Sequence, residues 1–255
     1  MGQILTIDRR VEILDLVNSQ GQVAVNNLSK RFNVSEVTIR NDLSHLEKKG
    51  LLIKSRGGGL KTQRVGIDQE LNEKAKINSK EKQAIGKKAA EIIKDDDTII
   101  IDSGTTTDEI AKNLGEIKNL TVITNALNVA SRLIRDEIKV ILLGGILRNT
   151  SLSLIGSIAE NSIKNFYCDK CFIGVDGIDS QFGIFTPNPE EAHLNKMMIE
   201  SSKEVIVVTD SSKFKRRSFA FIAPIFKVNT VITDSRIPED ELKDLQSLGI
   251  KVILV

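Results

Sequence analysis

No run of apolar residues in this 255-residue chain approaches the roughly 18 that a membrane-spanning helix needs. Its first residues also lack the charged-then-apolar pattern of an export signal. The expectation is therefore a cytoplasmic protein with no membrane partner. Met1 to Thr6 fits an N-myristoylation pattern, but one so permissive that it reads as a chance match. Cysteine and histidine are scarce. Cys168 and Cys171 form a lone C-x-x-C, and His45 and His193 are the chain's two histidines. A structural zinc site wants four ligands, and neither histidine is a plausible partner, so no metal is expected and the thiols read as core residues in a reducing compartment. Nucleotide loops are missing too. Neither the Walker lysine pattern nor G-x-G-x-x-G occurs, so no cofactor is expected. What remains, 40% apolar and 27% charged residues, is an ordinary globular composition. The length suits one small and one mid-sized domain.

The most informative segment that is present runs from Ser35 to Gly59. Ser35 is a natural N-cap, its hydroxyl accepting from an orphan amide of the first turn, and Glu36 suits the positive end of the helix dipole. Ile39, Leu43 and Leu46 recur at helical spacing as one buried stripe. Thr38, Arg40, Asn41, Ser44 and His45 fall off that stripe, and they are side chains suited to phosphates and base edges. Gly50 supplies a left-handed C-cap. The apolar run Leu51 to Ile53 then leads into Lys54, Ser55, Arg56 and three glycines, the pattern of a β-hairpin with a basic tip. Upstream, Val11, Ile13, Leu14 and Val17 predict a first helix, Gly21 a break, and Val25, Leu28 and Phe32 a short second helix. Asn33-Val34 makes a tight turn into Ser35. Together these describe a winged helix-turn-helix. The plainer alternative is a small helical subdomain with a solvated basic face.

Charge agrees with the first reading. Residues 1–64 hold 11 Lys and Arg against 6 Asp and Glu, a net of +5. The chain totals are 36 against 34, which leaves 25 against 28 for the remainder. The basic excess lies entirely in the N-terminal quarter, as expected of a nucleic-acid-binding head on a body with another task.

Residues 61–77 are polar and aperiodic and read as a linker between a head at 1–60 and a body at 78–255. In the body, Thr98–Ile101, Thr121–Thr124, Lys139–Leu143, Cys171–Val175, Val205–Thr209, Thr230–Thr233 and Lys251–Val255 read as buried strands. Helical patterns fall at Lys80–Lys94, Asp108–Leu114, Leu127–Arg135, Ile158–Phe166, Glu190–Ser202 and Glu239–Leu248. Continuous apolar strands alternating with amphipathic helices predict an α/β body with a parallel sheet covered on both faces. Ligands in such folds bind beyond the carboxyl ends of the strands. The residues there are Asp102 to Thr107, Thr124-Asn125, Gly144-Gly145, Gly174 to Asp179 and Thr209 to Lys213. Ser103 to Thr107 is the sharpest, since a glycine followed by hydroxyls and free amides at a helix start makes an anion site. Ordinary helix-capping chemistry would explain any one of these loops, but several converging at one sheet edge favour a small polyhydroxylated phosphate ester.

At this point a family resemblance emerges. Ser35-x-x-Thr38-Ile39-Arg40-x-Asp42-Leu43-x-x-Leu46-Glu47-x-x-Gly50 followed by Arg56-Gly57-Gly58 resembles the DNA-binding head of the DeoR family of bacterial sugar-catabolism regulators. Asp102 to Thr107, Thr124-Asn125, Gly144-Gly145-x-Leu147-Arg148, Gly174-Val175-Asp176-Gly177 and Thr209 to Phe214 resemble that family's effector domain. The stretch Asn188-x-x-Glu191-Ala192-x-Leu194-Asn195 looks most like regulators of N-acetylgalactosamine and galactosamine catabolism. The family's effector domain in turn resembles the ribose-5-phosphate isomerase fold. That likeness implies a phosphate held by Ser103, Gly104, Thr105 and Thr106 with Lys82, an acidic loop at Asp176 and Asp179, and an active-site lysine at Lys213. It also places Asn195 where the isomerase has its general-base glutamate, with Glu190 or Glu191 as conceivable stand-ins. An amide cannot take a proton from the sugar carbon.

The resemblance thus implies a non-enzymatic repressor that binds double-stranded operator DNA through Ser35, Thr38, Arg40, Asn41, Ser44, His45, Lys54 and Arg56. Its effector would be a phosphorylated sugar, of the amino-sugar class on the narrower likeness. That sugar would be held by Lys82, Asp102, Ser103, Gly104, Thr105, Thr106, Asn125, Gly144, Gly145, Asp176, Asp179, Glu191, Asn195 and Lys213. Paired heads on a palindrome imply a homo-oligomer, a dimer or tetramer. Two other functions stay open at this point, an active sugar-phosphate isomerase carrying a nucleic-acid-binding head, and a structural DNA binder whose body only oligomerises.

Overall fold

A computed structural model describes residues 6–48, 51–61, 68–134 and 138–255. All but Thr6 of the chance myristoylation match, and the Gly50 cap, fall on residues outside the described ones. The chain divides between Ile77 and Asn78 into two units.

In the first unit, α1 (Thr6–Gln20) buries Val11, Ile13, Leu14 and Val17, and Gly21 ends it with φ +77°. The strand β1 (Gln22–Ala24) leads into α2 (Val25–Phe32), which buries Val25, Leu28 and Phe32. Asn33 stops α2 in the left-handed conformation, and the Val34 N–H and C=O are both held by Ser29. That compact turn delivers α3 (Glu36–Lys48), whose first turn is capped by Ser35 Oγ accepting from Thr38 N–H at 3.2 Å. Ile39, Leu43 and Leu46 are buried as the periodicity predicts, and they pack on α1 and α2 in one small core closed by Leu51 and Leu52.

The expected hairpin is β2 (Leu52–Lys54) paired antiparallel with β3 (Gly58–Lys61). It is one strand larger than the sequence indicates, because β1 pairs with the other edge of β3. Gly58 permits this. A Cβ there would stand 1.8 Å from the Val23 carbonyl oxygen, so a side chain would push β1 off the wing. Part of the expected linker is also structured, since α4 (Leu71–Lys76) is a helix, though one with no buried residue.

The second unit opens with α5 (Ser79–Ala90) and alternates through β4 (Thr98–Ile101), α6 (Thr105–Ala111), β5 (Thr121–Thr124), α7 (Leu127–Leu133) and β6 (Lys139–Leu142). A hairpin of β7 (Ile146–Arg148) and β8 (Ser153–Ile155) precedes α8 (Ser157–Ile163) and β9 (Cys168–Gly174). Then come β10 (Gly177–Asp179), β11 (Gly183–Thr186), α9 (Pro189–Glu200), β12 (Ser202–Val208), β13 (Ala220–Ala223), β14 (Thr230–Thr233), α10 (Glu239–Ser247) and β15 (Lys251–Leu254). The seven strands expected from the sequence are the seven of one parallel sheet, ordered β15-β14-β12-β9-β4-β5-β6. The hairpin β7–β8 and a small antiparallel sheet β10-β11-β13 were not anticipated.

Alternation along the strands fills both faces. Ile100, Cys171, Ile173, Val205 and Val207 pack on one side with Ala159, Leu194, Met198 and Leu245 from α8, α9 and α10. Ile99, Ile101, Phe172, Ile206 and Val208 pack on the other with Ile85, Ile110 and Val129 from α5, α6 and α7. Truncating one such Ile or Leu to Ala costs about 2–5 kcal/mol. Strand order runs outward from β4 through β5 and β6 on one side, and outward from β9 through β12, β14 and β15 on the other. The crevice beyond the carboxyl ends of β4 and β9 is therefore the topological switch point, where open α/β sheets bind ligands.

Candidate functional site

On α3, the outer face carries Val37, Arg40, Asn41 and Ser44, with Val37 65% exposed. Sequence reading missed Val37, since a valine beside a buried stripe gives no sign that it points outward. An exposed apolar residue near the start of a reading helix suits a thymine methyl. Arg40 pairs with Glu36 at 2.8 Å, both half-exposed, a contact weak enough to be exchanged for a phosphate or base. Thr38 is drawn into the cap, its hydroxyl 2.9 Å from that of Ser35. The Ser44 hydroxyl donates to the Arg40 carbonyl at 2.7 Å and accepts from Lys54 Nζ at 2.6 Å, so helix and wing meet at these two candidates. His45 is half-buried and Arg56 is exposed near the wing tip.

Beneath α3 lies a polar lock that the sequence did not disclose. Asp42 is buried and accepts from Arg9 Nε at 2.6 Å and Arg10 Nε at 2.7 Å. Two guanidinium groups on α1 thereby fix the rotation of α3 about its axis.

At the switch point, Asp102 is the first residue beyond β4 and is fully buried. Its Oδ2 accepts from the Gly174 N–H at 3.1 Å and from Asn195 Nδ2 at 3.1 Å. One carboxylate thus joins the ends of β4 and β9 to α9. Beside it, the Gly104 carbonyl accepts from the Asp108 N–H and from Thr107 Oγ1 at 3.0 Å. Thr105 and Thr106 are buried in the same turn, with Ser103 and Gly104 half-buried.

Asn125, fully buried beyond β5, receives the Leu154 N–H on its carbonyl at 2.7 Å. The next residue back, Ser153, donates to Glu191 Oε1 at 2.8 Å, as do Ser151 at 2.6 Å and Arg148 Nη1 at 2.7 Å. Glu191 and Asn195 stand one turn apart on α9, so a continuous set of contacts runs from Asn125 through the β7–β8 hairpin and Glu191 to Asp102. Gly144 and Gly145 lead into that hairpin. Gly145 has φ +132°, and a Cβ on it would lie 2.4 Å from the Ile155 carbonyl oxygen. Within this cluster the Oδ1 atoms of Asn125 and Asn195 are buried with no hydrogen-bond partner among the described residues. Buried acceptors normally find donors.

Lys213 Nζ lies 3.5 Å from Asp176 Oδ1, which joins the loop after β12 to the loop after β9. Lys213 sits on a short 3-10 turn, Ser211–Lys213, capped by Asp210 and braced by Asp234, whose Oδ2 accepts from the Ser211 N–H at 2.7 Å. Burial pushes the Asp234 carboxyl up, but hydrogen bonds from Ser211 and Arg236 outweigh it and hold the group below its ordinary value. Lys82 is buried in the first half of α5. Asp179 is engaged elsewhere. Its carboxylate closes the β10–β11 turn through the Gln181 N–H at 3.0 Å and faces Arg217 Nε at 3.3 Å. Of the polar residues in this network, Arg148, Ser151 and Ser153 were not among the expected contacts. Arg148 stood in the family-like motif, but the two serines carry no sequence signal of their own.

Both thiols are buried on β9, as expected. Among the described residues, no helix is long and apolar enough to cross a membrane.

Comparison with known proteins finds matches over both units of the chain. Residues 9–63 match the DeoR-like helix-turn-helix domain, and residues 77–235 match the DeoR C terminal sensor domain. A protein of Escherichia coli O157:H7 that carries the provisional name of aga operon transcriptional repressor is 40% identical over 253 residues, covering 98% of this chain and 94% of its own. The uncharacterized regulator YulB of Bacillus subtilis is 39% identical over 253 residues, covering 99% and 98%. Among solved structures, ribose 5-phosphate isomerase A of Methanocaldococcus jannaschii aligns over 54% of this chain and 55% of that one, at 18% identity and a TM-score of 0.41.

Proposed function

The chain belongs to the DeoR family of DNA-binding transcriptional regulators, and from that premise we propose that it is a cytoplasmic repressor of a sugar-catabolism operon, controlled by a phosphorylated sugar. In this reading residues 1–60 hold the operator, 61–77 connect, and 78–255 sense the sugar. At least two copies act together, because a palindromic operator presents two half-sites.

The observation that carries the sugar reading is the pair of unpartnered amide oxygens of Asn125 and Asn195. Buried acceptors call for a ligand rich in donors, and sugar hydroxyls are such donors. The phosphate falls to Ser103 to Thr106 with Lys82 and Lys213, since hydroxyls, free amides and ammonium groups make charge-assisted bonds to it. The narrower reading, an amino-sugar phosphate, rests on the aga name of the Escherichia coli relative.

Sensing rather than turnover is supported by the amide of Asn195, which is bound to Asp102 and cannot act as a base. Glu191 Oε1 accepts from Ser151 and Ser153 and pairs with Arg148, and Glu190 is exposed at the start of α9.

A thermal-shift screen of the full chain tests the proposal. The panel is galactosamine 6-phosphate, N-acetylgalactosamine 6-phosphate, fructose 1-phosphate and glycerol 3-phosphate, with the unphosphorylated sugars and inorganic phosphate as controls. A true effector at 100 times its Kd adds about 2.7 kcal/mol of stability. One phosphate ester should raise Tm while its unphosphorylated form does not. Equal response to a sugar and its ester would remove the phosphate site.

A further inference from the structure

Asn78 is the first residue of the sensing unit, directly after Ile77, which ends α4 and the first unit. It holds φ +51°, a left-handed backbone that asparagine tolerates better than most residues. Its carbonyl meets the backbone of Lys82, and its side chain meets the Asp210 turn that carries Lys213. The Asn78 carbonyl accepts from the Lys82 N–H at 3.0 Å. Its Nδ2 donates to Asp210 Oδ1 at 2.7 Å. Asp210 is buried, its carboxylate caps the 3-10 turn through the Ser212 N–H at 3.1 Å, and its carbonyl accepts from the Lys213 N–H at 3.1 Å.

We infer that Asn78 is the positioning residue through which effector binding is passed to the connector, its side-chain bond to Asp210 tying the entry of the chain into the body to the turn that carries Lys213. A ligand shifts an equilibrium only as far as it binds the two states differently. Movement of Lys213 onto a phosphate draws on the Asp210 turn. The Asn78 amide then makes the backbone at residue 78, where the connector ends, part of that same rearrangement. Without the amide, the phosphate is still bound, but the connector no longer feels it.

This inference rests on the sugar-phosphate reading, and its test separates the two. The full chain is measured by thermal shift against the four phosphate esters named above, and by operator affinity with and without the ester that stabilises the parent most. Asn78→Gly keeps the left-handed backbone and deletes only the amide. It is expected to bind operator within about 2-fold of the parent and to keep its thermal shift. Its release of DNA by the ester should fall from the parent's value, on the order of 10-fold or more, to under about 2-fold. Asn78→Asp should likewise uncouple, because two carboxylates would then face each other. Parent-like release in Asn78→Gly, or loss of its thermal shift, overturns the relay. A parent that none of the four esters stabilises overturns the sugar-phosphate reading and this inference with it.

Discussion

The side-chain amide of Asn195 donates to the fully buried carboxylate of Asp102 at 3.1 Å, across 93 positions of sequence. A carboxylate in place of that amide would face Asp102 as a like charge, so the arrangement favours an amide, which cannot act as a base, at this position. No isomerisation of aldose or ketose phosphates is therefore expected from the purified protein. A coupled assay checks this. Turnover that co-purified with the chain and disappeared in Asp176→Asn would establish an enzyme instead.

The Asp42 lock should dominate the stability of the head. Asp42→Ala leaves the buried Arg9 without its partner at 2.6 Å and loosens Arg10. Removing one member of a buried ion pair costs about 3–5 kcal/mol, comparable with the whole stability of so small a unit. In the full chain, operator binding should be lost while the thermal response to a sugar phosphate persists. A variant that still bound operator normally would show that the orientation of α3 is set by its apolar stripe alone.

Reading of the operator should divide between α3 and the wing. Asn41→Ala and Val37→Ala should each weaken the specific operator and relax preference at one base position, by about 1–3 kcal/mol for the asparagine. Arg56→Ala should weaken all sequences alike and lower the salt slope by about one unit. Binding-site selection and salt titration distinguish these outcomes. Equal losses on every sequence for all three would mean that α3 contacts only the backbone.

The legibility of this chain followed burial. All seven strands of the parallel sheet could be read because each is apolar on both faces, as at Ile99, Ile100 and Ile101. Several other short strands could not. Gln22–Ala24 alternates in burial over too short a span to register, and Gly183–Thr186 begins at a glycine. The helix Leu71–Lys76 has no buried residue and so left no periodic trace. At the site, the loops after the strands were recognisable from their glycines and hydroxyls. The bonds of Arg148, Ser151 and Ser153 to Glu191, and of Asn78 to Asp210, join residues 38 to 132 positions apart. No local pattern encodes such pairs.

The two thiols should be inert in the folded protein. Burial, with Asp169 nearby, pushes Cys168 up to about 11, and burial with Asp102 pushes Cys171 well above its ordinary value. A thiol of pKa near 11 is about 0.1% thiolate at pH 8, and the thiolate is the reactive form. Labelling by iodoacetamide at pH 8 should be slow and rise sharply only on unfolding. Rapid labelling of the native protein would place a thiol at the surface.

The function proposed for this chain depends on control of the head by the switch-point site. Its most direct test is operator affinity of the parent and of Lys213→Ala, each with and without the sugar phosphate that stabilises the parent. Lys213 should be a phosphate contact, held 3.5 Å from Asp176 until the ligand arrives. The parent should lose operator affinity when the sugar phosphate is added. Lys213→Ala should bind operator as tightly as the parent and stay bound, the behaviour of a repressor that cannot be induced. Release equal to the parent's would place the phosphate elsewhere, and loss of operator binding without ligand would make Lys213 part of the fold rather than of the sensor.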